Sequence, residues 1–242
     1  MAITLPTAKT QPKTNLTEFT IVIYGEPKIG KTTFASQFDN PLFLATEAGL
    51  NSLEAYQIPI TSWDDFLEAC ALLAKGKHEY KTIVIDTVDN LTKFCSEYVC
   101  KKNNVQHESD LAYGKGWTLV KNEFLRVVTK LSLLPYGLIL VSHAKTEEIK
   151  TRTAAINKTT PTLSNSFRDI VLGMADIVLY AHTIQRTSKD GKVEEVRVLR
   201  TKAAETYEAG DRTGKLPEAL VFSYEAFQTA WSGNVEGGKV NE

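Results

Sequence analysis

Short apolar runs recur along the chain, separated by stretches with helical spacing. Residues 20–24 (TIVIY), 41–46 (PLFLAT), 82–86 (TIVID), 138–141 (LILV) and 177–180 (IVLY) carry almost no polar alternation. Runs of that length predict strands buried on both faces. Residues 62–75 open with Ser62 and place Asp64 and Asp65 in the first turn, the pattern of a capped amphipathic helix. Residues 89–103 and 113–134 are helical by period, the second with Leu119, Val120, Phe124, Val127, Val128 and Leu131. A further helix is predicted to start at Lys31 and to stop near Pro41. Residues 193–201 alternate after the turn Lys189-Asp190-Gly191-Lys192, which predicts a C-terminal β-hairpin.

Strands alternating with helices predict an α/β fold: a mainly parallel sheet with helices on both faces. The polar start, with Pro6 and Pro12, predicts a flexible arm over residues 1–17. A single domain is expected over 18–230, then a disordered tail over 231–242.

Composition narrows the choice little. With 43% hydrophobic and 24% charged residues, 242 residues can build one large core. The net charge of -1 means that any nucleic-acid site must be local. Cys70, Cys95 and Cys100 form no CxxC pair, and the four histidines are scattered, so free buried thiols are expected rather than a disulfide scaffold or zinc site. The N-terminus has no apolar signal region, and no apolar run approaches the ~20 residues a membrane helix needs. A cytoplasmic protein without membrane contact is expected.

The chemistry is concentrated in GEPKIGKT, residues 25–32, a complete GxxxxGK[ST] motif lying after a predicted strand and before a predicted helix. Its glycines let backbone N–H groups turn inward around phosphates. Gly25, Glu26, Pro27, Lys28, Ile29, Gly30, Lys31, Thr32 and Thr33 are the candidate nucleotide-binding residues, for ATP with Mg²⁺. Lys31 is placed on the β- and γ-phosphates and the Thr32 hydroxyl on the metal. Asp86, ending TIVID, is the candidate second metal-side carboxylate; a plain strand-end cap is the alternative. No NKxD segment follows, since Asn157-Lys158 leads into Thr159-Thr160, so GTP is disfavoured.

The order of these elements resembles the RecA-like P-loop ATPases, and within them the minimal, core-only phage type, which includes single-strand annealing proteins and phage proteins grouped with AAA-type ATPases. The resemblance covers roughly residues 18–205. It implies a catalytic role for Glu47, in FLATEAGLN, as the carboxylate that orients the attacking water. It implies that His143, in LILVSHAK, senses the γ-phosphate. In VRVLRTKAA it makes Arg200 and Lys202 cations that reach a neighbouring subunit's γ-phosphate. Two mobile DNA-facing loops are implied over residues 103–116 and 144–166, with Lys145, Lys150, Arg152 and Lys158 as DNA-binding residues. The adenine-stacking position falls at Leu53 and Glu54, with Tyr56 as a substitute.

The function these features imply is an oligomeric ATPase, in a ring or filament, that binds single-stranded DNA and promotes annealing or recombination, with a separate single-strand-binding protein as a helper. If the gene is phage-borne, the compartment is the bacterial host's cytoplasm. A regulatory or loader-type ATPase with a protein partner is the alternative, and a small-molecule kinase the third.

Overall fold

The computed structural model describes residues 5–150, 155–187 and 191–233. Five parallel strands carry the predicted apolar runs: β1 (Thr20–Gly25), β2 (Pro41–Ala45), β4 (Thr82–Asp86), and the opening parts of β5 (Gly137–Lys150) and β7 (Ile177–Thr187). β3 (Tyr56–Pro59) pairs parallel to β2 at one edge. Its side chains are mostly exposed and its Pro59 suits an edge, which is why no apolar signal marked it. β8 (Val193–Arg200) folds back antiparallel on β7 as the expected hairpin, and β10 (Ala219–Val221) pairs antiparallel to β8. Among the described residues the sheet order is β10-β8-β7-β1-β5-β4-β2-β3.

Alternation within the runs sends side chains to two cores. Val22, Tyr24, Leu42, Leu44, Ile83, Ile85, Leu138 and Leu140 face one side. There they meet α2 (Trp63–Ala74), α3 (Val88–Lys102), α4 (Lys115–Ser132) and α5 (Asn165–Met174). Ile21, Ile23, Phe43, Val84, Ile139, Val141 and Leu179 face the other, against α1 (Lys31–Ala35) and α6 (Tyr224–Trp231). The α/β fold with helices on both faces is therefore as the strand pattern predicts. Ser62 caps α2 by accepting from Asp65 N at 3.1 Å. α1 is shorter than predicted, with only five helical residues.

Three further differences matter. β5 does not stop at residue 141. It runs on to Lys150 and pairs antiparallel with β6 (Ala155–Pro161). Thr14 to Leu16, expected in a flexible arm, are held in place: Leu16 is buried and Trp231 Nε1 donates to Thr14 O at 3.2 Å. Trp231, expected to open a disordered tail, is the buried last residue of α6; residues 234–242 of that expected tail lie outside the described residues. Cys70, Cys95 and Cys100 are free, and burial raises the Cys70 thiol pKa to about 12. No helix among the described residues is long and apolar enough to cross a membrane.

Candidate active site

β1, β2 and β4 end at one level of the sheet, where β5 continues, and the loops beyond those three ends together with β5 build the site. β1 delivers the chain to Gly25 and α1 takes over at Lys31. Gly25 has no room for a side chain, because a Cβ would stand 2.2 Å from the Ala181 carbonyl oxygen of β7. Gly30 has φ +116°, a conformation open to glycine at little cost. Glu26, Pro27 and Lys28 are exposed, and Ile29 is buried beneath them. Lys31 is 5% exposed, with Nζ donating to Gly25 O (2.9 Å) and Glu26 O (2.8 Å). Burial lowers its pKa, opposed by the carboxylates of Asp86, Asp89, Glu47 and Glu26.

Asp86 closes β4 and is 2% exposed. Thr32 Oγ1 donates to its Oδ2 at 2.7 Å. Burial raises the Asp86 pKa, and the Thr32 hydrogen bond opposes the rise. Gly49 lies beside both oxygens: a Cβ there would stand 3.8 Å from Asp86 Oδ2 and 3.9 Å from Thr32 Oγ1. A hydroxyl and a carboxylate beside space kept open by a glycine form a hard-oxygen donor pair that fits Mg²⁺. No group of three or more His, Cys, Asp or Glu side chains among the described residues could hold a metal alone. A Mg²⁺ ion here would take its other ligands from phosphate and water.

Glu47 follows β2 and is placed by β4. Thr46 N donates to Asp86 O (2.9 Å), Thr46 Oγ1 to Thr87 O (2.8 Å), and Thr87 N to Thr46 Oγ1 (2.7 Å). Glu47 Oε1 lies 3.6 Å from His143 Nε2, and Asn90 Nδ2 donates to Glu47 Oε2 at 3.4 Å. His143 pairs with Gly25 in the β1–β5 register. Behind it, buried Asp89 accepts from Ser142 Oγ (3.0 Å) and His143 N (3.2 Å). Burial raises the Asp89 pKa, opposed first by the Ser142 bond.

Pro27, Lys28, Gly30, Lys31, Thr32, Thr33, Glu47, Asp86 and His143 line one cavity of about 530 Å³, joined by Gly49, Ser52, Leu53 and Thr87. Two polar atoms of its lining residues, Thr87 Oγ1 and His143 Nδ1, are buried without a hydrogen-bond partner among the described residues. Gly25, Glu26 and Ile29 do not line the cavity. A family model described as an AAA domain matches residues 17–213.

The chain belongs to the AAA domain family of P-loop ATPases.

Over 196 residues it is 33% identical to the SPbeta prophage-derived uncharacterized protein YorG of Bacillus subtilis (strain 168). That match covers 78% of this chain and 57% of YorG, so the chain spans little more than half of its relative's length. A KaiC-like protein from Pyrococcus horikoshii OT3 superposes with a TM-score of 0.43 at 15% identity, over 80% of this chain and 81% of that one.

The remaining sequence-derived candidates of this AAA domain lie elsewhere. Arg200 ends β8, half-buried; its Nε donates to His182 Nε2 at 3.2 Å and its guanidinium lies 5.9 Å from the Tyr207 ring centre. Lys202 is exposed beyond the strand, which stops short of the 196–204 span expected for it. Neither residue lines the phosphate cavity. The loop expected over 144–166 is instead the β5–β6 hairpin leading into α5. Its cations are paired: Lys145 with Glu147 (2.7 Å), Lys150 with Glu148 (3.7 Å) and Lys158 with Glu208 (2.6 Å). Arg152 lies outside the described residues. The other expected loop, 103–116, holds short 3-10 turns at Glu108–Asp110 and Ala112–Gly114. Tyr56 packs against Tyr80, ring centres 5.4 Å apart, and lines a different hollow with Ser36 and Asn40.

Asp89, Thr46, Asn90 and Gly49 were not singled out from sequence. Only Asp89 left a signal, as a second acid three residues after Asp86 at a helix start.

Proposed function

We propose that this AAA domain is a Mg²⁺-dependent ATPase that acts on single-stranded DNA as an oligomer, promoting annealing or recombination. The ATPase half rests on one observation. Lys31, Thr32, Asp86, Glu47 and His143, drawn from the ends of β1, β4 and β2 and from within β5, line a single cavity.

Lys31 exchanges its two loop carbonyls for the β- and γ-phosphate oxygens. Thr32 and Asp86 would hold Mg²⁺, which would supply charge neutralisation at the phosphates. Glu47 orients water in line with the γ-phosphorus and takes its proton on a carboxylate oxygen. The water oxygen bonds to the γ-phosphorus as the bond from that phosphorus to the β–γ bridging oxygen breaks with its electron pair on ADP, and ADP and phosphate leave. His143, 3.6 Å from Glu47, begins the stretch of β5 that runs into the β5–β6 hairpin. Contact with the γ-phosphate there would be felt along that hairpin. Arg200 and Lys202 stand off their own chain's cavity, as in-trans cations must.

The DNA half is supported by a different surface. Tyr113 and Trp117 are exposed at the start of α4, with Lys115 and Lys121 exposed on the same stretch. Exposed aromatics among lysines are what stacking on single strands uses. A second reading, a regulatory ATPase with a protein partner, is favoured by the paired cations of the hairpin.

Hydrolysis measured with and without single-stranded DNA, at low and moderate salt, separates the two. Several-fold stimulation that fades with salt and is lost in Tyr113→Ala/Trp117→Ala supports the DNA reading. Intact ATP binding with no response to DNA removes it and leaves the protein-partnered one.

A further inference from the structure

A second cavity adjoins the phosphate loop. It has a volume of about 290 Å³, and Gly30, Thr33, Gln37, Arg197 and Phe222 are among the residues that line it. It shares Gly30 and Thr33 with the phosphate cavity, yet Glu47, Asp86 and His143 do not line it. Two hollows that share two residues of one loop and its helix suggest one extended ligand.

The direction of that ligand follows from the chemistry of the loop. In a GxxxxGK[ST] loop the lysine reaches the β- and γ-phosphates while the backbone cradles the α and β. The γ end therefore points toward Glu47, Asp86 and His143. The α-phosphate ester, and the nucleoside on it, must leave away from those three residues, and the second cavity adjoins the loop without being lined by any of them.

The walls of this cavity suit a flat aromatic guest. Arg197 Nη1 donates to Ile29 O at 2.9 Å, which ties β8 to the loop. A Cβ on Gly30 would stand 3.3 Å from Arg197 Nη1 and 3.7 Å from Phe222 Cε1, so guanidinium and ring adjoin above the loop. Phe222 N donates to Arg197 O at 2.8 Å, and the Phe222 ring packs on Phe34 with centres 5.5 Å apart. Both walls are thus braced by the backbone and the core. Guanidinium and phenyl faces are the two surfaces on which nucleobases stack.

We propose that the purine base of the nucleotide docks in this second cavity, against Phe222 and Arg197. This rests on the ATP reading above. It places the base in a cavity that none of residues 53–56 lines, whereas the family resemblance puts it at those residues.

The test is calorimetric titration of the full chain, as wild type, Phe222→Ala and Phe222→Leu, with Mg·ATP and with Mg·tripolyphosphate, which has the phosphate chain and no base. Phe222→Leu keeps apolar volume and removes the ring, so its thermal melt should match wild type and its binding data remain interpretable. The expected result is roughly ten-fold weaker ATP binding in both variants, with tripolyphosphate affinity unchanged within about two-fold. Unchanged ATP affinity in both variants overturns the pocket and leaves the ATP reading standing. Equal loss for both ligands in Phe222→Leu also overturns it, because the ring then acts only by bracing the loop. A wild type that binds neither ligand overturns the ATP reading and the pocket with it.

Discussion

Thr32 Oγ1 and Asp86 Oδ2 stand 2.7 Å apart, joining the first turn after the phosphate loop to the end of a strand 54 residues away. The contact keeps a carboxylate almost wholly out of water, and burial raises its pKa. A carboxyl whose folded pKa is raised costs stability as pH climbs from the ordinary carboxylate range through the raised value. Asp86→Asn removes that cost and keeps an acceptor for Thr32. Without metal, the variant should melt at or above the wild-type temperature at neutral pH, with a flatter pH dependence. It should also lose the stabilisation by Mg·ATP, about 2.7 kcal/mol in wild type at a hundred times the dissociation constant. A lower melting point with the Mg·ATP gain intact would contradict this role.

Two glycines should respond oppositely to alanine. At Gly25 the new Cβ meets the Ala181 carbonyl at 2.2 Å, so β1 and β7 must part. Gly25→Ala should cost at least about 1–3 kcal/mol in urea denaturation and weaken nucleotide binding. Gly173, in α5, has nothing within 4 Å of a new Cβ. Gly173→Ala should gain about 0.5–1 kcal/mol through helix propensity and leave binding alone.

Asp89 holds Ser142 Oγ and His143 N on its two oxygens. Asp89→Ala takes the carboxylate acceptor from His143 N and leaves Ser142 Oγ only the His143 carbonyl at 3.1 Å, and should cost about 1–3 kcal/mol of stability. Asp89→Asn, which keeps one acceptor, should cost less. If His143 works from the position Asp89 gives it, turnover should fall in the same order while ATP binding is retained. Turnover that ignores both changes would free His143 from the mechanism.

The parts of this molecule legible in its sequence are those with a local cause. The phosphate loop is a fixed spacing of glycines, lysine and threonine, and the runs at 20–24 and 82–86 are buried strands because three successive apolar residues fill each centre, with polar residues only at the ends. The β5–β6 hairpin was illegible for the converse reason. It is a two-stranded ribbon pairing Thr146 with Thr159 and Glu147 with Lys158, with polar residues on both faces and so no alternation to read. The placement of Arg197 beside Ile29, 168 residues away, has no local cause and follows only from β8 folding onto β7. Thr46 likewise holds Glu47 in place through Thr87, 41 residues on.

Charge pairing makes the hairpin testable apart from the aromatics at α4. Glu147 approaches both Lys145 (2.7 Å) and Arg168 (3.9 Å), and Glu208 covers Lys158. Exposed pairs of this kind contribute little to stability and are screened by salt. Glu147→Gln with Glu208→Gln should leave the melting temperature nearly unchanged. If the hairpin faces DNA, single-strand affinity at low salt should rise several-fold, and the gain should vanish as salt increases. No gain at low salt would place DNA elsewhere.

The central claim is that Glu47 activates water in a cavity that holds Mg·ATP. Single-turnover hydrolysis by wild type and Glu47→Gln, with ATP affinity measured in parallel, tests it directly. The expected result is ATP binding within a few-fold of wild type and hydrolysis slowed roughly 10²–10⁴-fold. Undiminished hydrolysis in Glu47→Gln, at equal ATP affinity, would contradict the account.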